Sequence, residues 1–129
     1  MRDVKTRKTT KKDFKVFETE ARRWADIYAI GEWCLEYRHS DEIESPSMAD
    51  SSWVPETQVA YIRLAKEIDV DGLTDNPTLE EAARHEIDHI VLAEANDLLG
   101  RYYSEDYVGQ VIHRIIYRLE NARKQLGIV

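Results

Sequence analysis

Residues 78–99 read TLEEAARHEIDHIVLAEANDLL, and this stretch decides how the rest of the chain can be arranged. Its apolar residues recur at steps of three and four, the spacing that places them together on an α-helix. Thr78 with Glu81 can form a capping box at its start, or Asn76 can cap it instead, and Gly100 suits the other end. Because the middle of the stretch is apolar on nearly all sides, we predict a central, buried helix.

The chemically informative part of this helix is the HExxH motif at residues 85–89. Two residues four apart lie one above the other on a helix, so His85 and His89 can both bind one Zn²⁺. Glu86 lies about 100° round the helix, beside such an ion rather than on it. A carboxylate there can act as general base toward water whose pKa zinc lowers to about 7. The motif predicts a zinc hydrolase with Glu86 as its catalytic residue.

A catalytic zinc site needs a third protein ligand, with the fourth position left open. The chain has four histidines, and the two outside the motif are His39, at a strand end where a surface residue is expected, and His113. We predict His113 as the third ligand. It lies about 140° from the centre of the apolar stripe on its helix, so that helix must pack off-centre. The carboxylates of Glu105, Asp106 and Glu120 are the open alternatives.

A closing helix is predicted from Ser104, a candidate cap, to Gln125. Its predicted core stripe has steps of four and three residues and consists of Val108, Ile112, Ile115, Leu119, Ala122 and Leu126. The short connection after Gly100 predicts that this helix runs antiparallel beside the motif helix.

The hydrophobic spacing in the N-terminal half predicts one helix and three strands. Phe14 to Ile30 has helical spacing, and Trp33 to His39 alternates as a half-buried strand does. Two further strands are predicted around residues 48–54 and 58–64, and residues 68–76 read as a polar linker.

Composition bounds the class of protein. With 129 residues, 43% hydrophobic residues and twelve aromatics, the chain is expected to fold as one domain over residues 14–129. The single cysteine, Cys34, cannot form an internal disulfide; we expect a small core residue in a reducing cytosol. No apolar run reaches the roughly 18–20 residues of a membrane span, so a cytoplasmic protein without membrane contact is expected.

Charge is distributed unevenly. Residues 1–15 carry seven basic and two acidic side chains, although the whole chain has a net charge of −7. The acidic body is not expected to bind nucleic acid. We interpret residues 1–13 as a flexible solubilising arm, with weak contact to phosphates as the alternative.

The order of these elements resembles the small phage-encoded metallopeptidases related to the SprT-like zincins. The likeness covers most of residues 14–126 and is most specific at ARHEIDHIVL, residues 83–92, and HRIIYRLENA, residues 113–122. Members of that family tend to carry a Glu at the position of His113. This departure keeps a metal ligand possible there, because histidine binds zinc equally well.

The resemblance implies an α+β, zincin-like fold: an N-terminal helix, a three- or four-stranded mainly antiparallel sheet, the HExxH helix and an antiparallel C-terminal helix. It implies a zinc-dependent peptidase acting on a protein or peptide in the cytosol, of a host cell if phage-encoded. Residues 58–64 would be the edge strand that holds an extended substrate. The alternative is a non-catalytic zinc-containing binding or regulatory module.

Two assignments stay open at the level of sequence. Asp88 reads equally as a hydrogen-bond partner of an imidazole or of Arg84, or as a solvated surface carboxylate. A further donor to the oxyanion of the reaction could be Tyr102, Tyr103 or Tyr107, and no spacing argument chooses between them. The oligomeric state is not predicted.

Overall fold

The computed structural model describes residues 6–43, 47–69 and 77–128. Helices and strands are mixed, which confirms the α+β class. In chain order the elements are β1 (Thr6–Lys8), α1 (Lys11–Ile27), β2 (Cys34–Ser40), β3 (Ala49–Val54), β4 (Val59–Ala65), β5 (Glu67–Asp69), α2 (Leu79–Val91), α3 (Ala93–Leu99) and α4 (Glu105–Gln125). No helix in the described part of the chain is long and apolar enough to cross a membrane.

The main sheet has three strands in the order β2-β4-β3. β4 pairs antiparallel with β3 and parallel with β2, so this sheet is mixed rather than mainly antiparallel. β4 lies at the centre, with Ala60, Ile62 and Leu64 fully buried. The prediction that residues 58–64 form an edge strand is therefore wrong. Strands buried by a neighbour on each side favour β-branched residues just as edge strands do, so composition did not distinguish the two positions.

A second, two-stranded sheet pairs β1 with β5 in antiparallel register. Thr10 caps α1, and its capping box is completed by Asp13. Strand and helix thus occupy residues 6–8 and 11–13, which lie within the arm predicted over residues 1–13. Residues 1–5 lie outside the described part of the chain, as do residues 70–76 of the predicted linker.

The motif helix α2 packs between α1 and the sheet. Thr78 and Glu81 form the predicted capping box, while the alternative cap, Asn76, lies outside the described residues. Ile87 and Ile90 are buried at 0% and 1% exposure, as a central helix requires. The single helix predicted up to residue 99 is interrupted at Leu92, which ends α2 and precedes α3.

The closing helix α4 begins at the predicted cap, Ser104. Its buried residues are Val108, Ile112, Ile116 and Arg123, whereas Leu119 and Leu126 of the predicted stripe are 39% and 74% exposed. The helix is thus rolled toward the flank that carries His113, as the third-ligand prediction required.

Contacts between α4 and α2 are compatible with the predicted antiparallel packing. His113, in the first half of α4, has its ring centroid 5.0 Å from that of His89, whereas Glu120, in the second half, contacts His85. Residue numbers therefore fall along α2 as they rise along α4, although Arg123 also contacts Asp88.

Cys34 differs from its prediction as well. It is exposed at the start of β2, where alternation places Trp33 and Leu35 on the inner side. A small core residue was expected from its lack of a partner, but strand register puts it outward.

Candidate metal centre

Three histidine side chains converge where α4 meets α2. Donor atoms of His85, His89 and His113 all lie within 4.8 Å of one another, and among the described residues this is the group that could hold a metal ion. The ring centroids of His89 lie 5.0 Å from those of both His85 and His113. The structure thus brings together all three histidines that the sequence predicted as ligands.

Hydrogen bonds orient two of the three rings. Nδ1 of His85 lies 2.8 Å from Oε1 of Glu120, and Nδ1 of His113 lies 2.9 Å from the carbonyl oxygen of Gly109. Because both partners accept hydrogen bonds, Nδ1 carries the proton in each ring and Nε2 keeps its lone pair. Second partners of this kind fix the tautomer of histidines that bind metals.

The spacing of the two motif nitrogens suits one tetrahedral ion. Nε2 of His85 lies 3.3 Å from Nε2 of His89. Two nitrogens that each lie about 2.0–2.1 Å from a tetrahedral ion are separated by roughly 3.3 Å. The donor set therefore fits zinc, which binds three imidazoles in catalytic sites and leaves a fourth position open.

The electrostatic surroundings favour neutral His89. Burial, together with the charges of His85 and His113, lowers the pKa of His89 to about 4. Burial also acts to lower the pKa of His85, but the hydrogen bond to Glu120 and the nearby carboxylates outweigh it and raise the pKa. Neutral imidazole is the form that binds a metal.

Glu86 lies on the side of α2 that faces the sheet. Its carboxylate accepts a hydrogen bond of 2.9 Å from Oγ of Ser51 on β3, and the residue is 7% exposed. Burial raises the pKa of Glu86 to about 7, against the opposing effects of His85 and of the Ser51 hydrogen bond. A carboxylate held in this way, one residue from a proposed ligand, is suited to accept a proton near neutral pH.

Glu120 contacts a candidate ligand, His85, and is not itself one of the converging donors. Its carboxylate is bonded to His85, and this contact outweighs burial and lowers the pKa of Glu120. The other two alternatives, Glu105 and Asp106, lie in the first turn of α4 and line an open groove beside His113. Neither belongs to the group of donor atoms formed by the three histidines.

Replacing Glu120 tests its role as a hydrogen-bond partner. We expect Glu120→Gln to weaken zinc binding about 10- to 100-fold, because a neutral amide holds the His85 ring less firmly. Competition with a coloured chelator measures the affinity. Glu105→Gln is the matched control on the same helix and should bind zinc as the wild type does. Equal losses in both variants would contradict the assignment.

Asp88 is neither solvated nor bonded to an imidazole. It is 1% exposed, accepts a hydrogen bond of 2.7 Å from the Tyr28 hydroxyl, and forms an ion pair with Arg123. Asp88 is therefore neither a partner of an imidazole or of Arg84 nor a surface carboxylate, as the sequence suggested, but a buried partner of Tyr28 and Arg123. Arg84, the other predicted partner, instead lies 3.7 Å from Glu20.

The remaining candidates lie elsewhere. His39 donates a hydrogen bond to the Thr9 hydroxyl, which itself donates to the carbonyl oxygen of Ala65, and its ring stacks on Phe14. It is therefore more enclosed than the predicted surface residue. Tyr103 and Tyr107 contact each other in exposed positions. The tyrosine whose ring contacts His113 is Tyr117, which sequence reasoning did not single out.

Comparisons with protein-family models, curated proteins and solved structures found no match. The resemblance to zincins therefore remains a prediction from sequence.

Two contacts of the site were not predicted. Ser51 is one polar residue among several in its strand, and only the packing of β3 on α2 places it against Glu86. Arg123 gave no signal either, because the predicted apolar stripe of α4 ran through Ala122; only the observed rotation of the helix, with Ile116 buried, places Arg123 on the inward face.

Proposed function

We propose that this protein is a zinc-dependent peptidase. The observation that carries the proposal is the convergence of three imidazole nitrogens from two helices beside a buried glutamate. A site that only stabilised the fold would use four protein ligands and would need no base. In this proposal His85, His89 and His113 hold the ion, and Glu86 is the catalytic residue.

When bound, zinc polarises a carbonyl group and acidifies water. The protein supplies the proton transfers. Glu86 takes a proton from the attacking water, whose oxygen adds to the carbonyl carbon of the substrate, and returns it to the amine nitrogen as the C–N bond breaks. The Ser51 hydroxyl donates to Oε1 of Glu86 and leaves Oε2 for this proton. The Glu120 carboxylate keeps the His85 ring in the orientation needed for binding.

An extended peptide is the substrate class that the surroundings favour. β3 carries Ser51, and among the described residues it pairs with β4 along one side only. An unpaired strand edge offers backbone donors and acceptors to a peptide in extended conformation. The strand in this role is Ala49–Val54, which replaces residues 58–64 of the sequence prediction.

The test is cleavage of an unfolded protein. Full-length protein purified without a histidine tag is loaded with one equivalent of zinc and incubated with reduced, carboxymethylated α-lactalbumin. Mass spectrometry then detects new termini. We expect cleavage that stops on addition of a chelator and returns when zinc is restored. Zinc binding without cleavage would contradict the peptidase and favour the alternative, a zinc-containing binding module.

A further inference from the structure

A buried polar cluster connects α4 to the rest of the molecule. Arg123 Nη2 donates to Oδ2 of Asp88 at 2.8 Å, and Nη1 donates to the Tyr28 hydroxyl at 2.5 Å. Tyr28 in turn donates to Oδ1 of Asp88 at 2.7 Å. These three residues, which we call the Tyr28–Asp88–Arg123 cluster, come from the end of α1, from α2 and from α4.

Apolar packing restrains α4 incompletely. Val108, Ile112 and Ile116 form a small apolar cluster with Leu92 and Leu99, separate from the main core. The next buried residue along the helix is Arg123. Its position in the last turn means that the C-terminal half of α4 is attached to α2 chiefly through polar contacts, of Arg123 with Asp88 and of Glu120 with His85.

The guanidinium group of Arg123 is also fixed in orientation. Its guanidinium carbon lies 5.3 Å from the ring centroid of Trp24. The guanidinium carbon of Arg84 lies 5.0 Å from the same ring. Arg123 Nη1 also donates to Oδ1 of Asp88 at 3.3 Å, and two hydrogen bonds to one carboxylate together with contact to an aromatic face allow little rotation. A buried pair of this kind contributes little net stability compared with an apolar pair, but its geometry is directional.

Asp88 lies between the two histidines of the motif in sequence, and Arg123 follows His113 by ten residues on α4, about 80° round the same helix. We propose that the Tyr28–Asp88–Arg123 cluster is a positioning device that sets the rotation and register of α4, and so brings His113 to His85 and His89. The three are positioning residues, since none contacts the three histidines through the hydrogen bonds described. This inference rests on the proposed zinc site.

The deciding variant is Asp88→Leu combined with Arg123→Met. It removes both charges, so neither is left buried alone, and it keeps apolar volume at the interface. Tyr28 is only half-buried and can bond to water. Urea unfolding measures stability, and chelator competition measures zinc affinity. We expect stability near that of the wild type with zinc binding weakened at least tenfold, as for other partners that orient ligands.

The matched control separates positioning from stability. Ile62→Val removes one methyl group from the core at β4 and should lower stability while leaving zinc affinity unchanged. Tyr28→Phe is the milder variant if the double variant fails to fold, and it should weaken zinc binding severalfold. Wild-type affinity in the folded double variant, or in Tyr28→Phe when the double variant does not fold, would overturn the inference.

A second measurement uses metal-free protein and distinguishes this inference from the proposed function. In the double variant, amide hydrogens in residues 117–125 of α4 should exchange faster than in the wild type, because the helix is less restrained. Unchanged exchange would overturn the positioning role. Wild-type protein that binds no zinc would instead contradict the proposed function and leave the exchange result to decide the role of the cluster.

Discussion

Glu86→Gln is expected to abolish peptide hydrolysis while zinc binding persists. Loss of a general base typically lowers the rate 10²- to 10⁴-fold, and we expect a decrease of about 10³-fold in kcat/KM. The amide has the shape of the carboxylate and can still accept the Ser51 hydrogen bond. Since Glu86 is buried, a neutral side chain there should not lower stability.

The assay for Glu86 compares three proteins at equal zinc loading. Glu80→Gln is the matched control, because Glu80 lies on the same helix in an exposed position. It should cleave carboxymethylated α-lactalbumin at the wild-type rate. Hydrolysis by Glu86→Gln at the wild-type rate would remove Glu86 from the mechanism, and an equal loss in Glu80→Gln would show that the effect is not specific.

His113→Ala is expected to weaken zinc binding more than any replacement of a residue that only orients a ligand. Replacing a residue that only orients a ligand lowers metal affinity about 10- to 100-fold, so we expect His113→Ala to lower zinc affinity more than about 100-fold. The reason is that two imidazoles four residues apart remain, and a stable catalytic site needs three protein ligands. Isothermal titration with zinc measures both affinity and stoichiometry.

His39→Ala serves as the control for His113. His39 bonds to Thr9 and stacks on Phe14, away from the donor group, so its loss should affect stability and not zinc affinity. Asp106→Asn tests the rival ligand beside the site and should bind zinc normally. Retained affinity in His113→Ala together with lost affinity in Asp106→Asn would assign the third position to the carboxylate.

Local features were the ones that sequence could predict. The capping box of Thr78, the cap at Ser104 and the helical spacing around His85 depend on residues a few positions apart. The two motif histidines follow from the same geometry, because a helix brings residues four apart into contact whatever surrounds it.

Features that depend on distant parts of the chain were predicted less well. β4 became the central strand through pairing with β2, more than twenty residues away in sequence, and no local pattern specifies that register. The apolar stripe of α4 could not show that Leu126 stays exposed while Ile116 is buried. In the observed rotation of α4, Arg123 and Glu120 contact partners on α2, and no pattern within α4 specifies those contacts.

His113 shows how the two levels combine. Its angle on the helix predicted that α4 must pack off-centre for the residue to reach the motif, and α4 does so. The sequence predicted that α4 had to pack off-centre, and the tertiary contacts of α4 produce that packing.

X-ray absorption spectroscopy at the zinc edge tests the central claim most directly. The protein, purified without a tag, is loaded with one equivalent of zinc and compared with His113→Ala. We expect the wild type to show three imidazole nitrogens and one oxygen at about 2.0–2.1 Å, and the variant to lose one imidazole. A wild-type spectrum dominated by oxygen ligands, or one that His113→Ala leaves unchanged, would contradict the three-histidine zinc site.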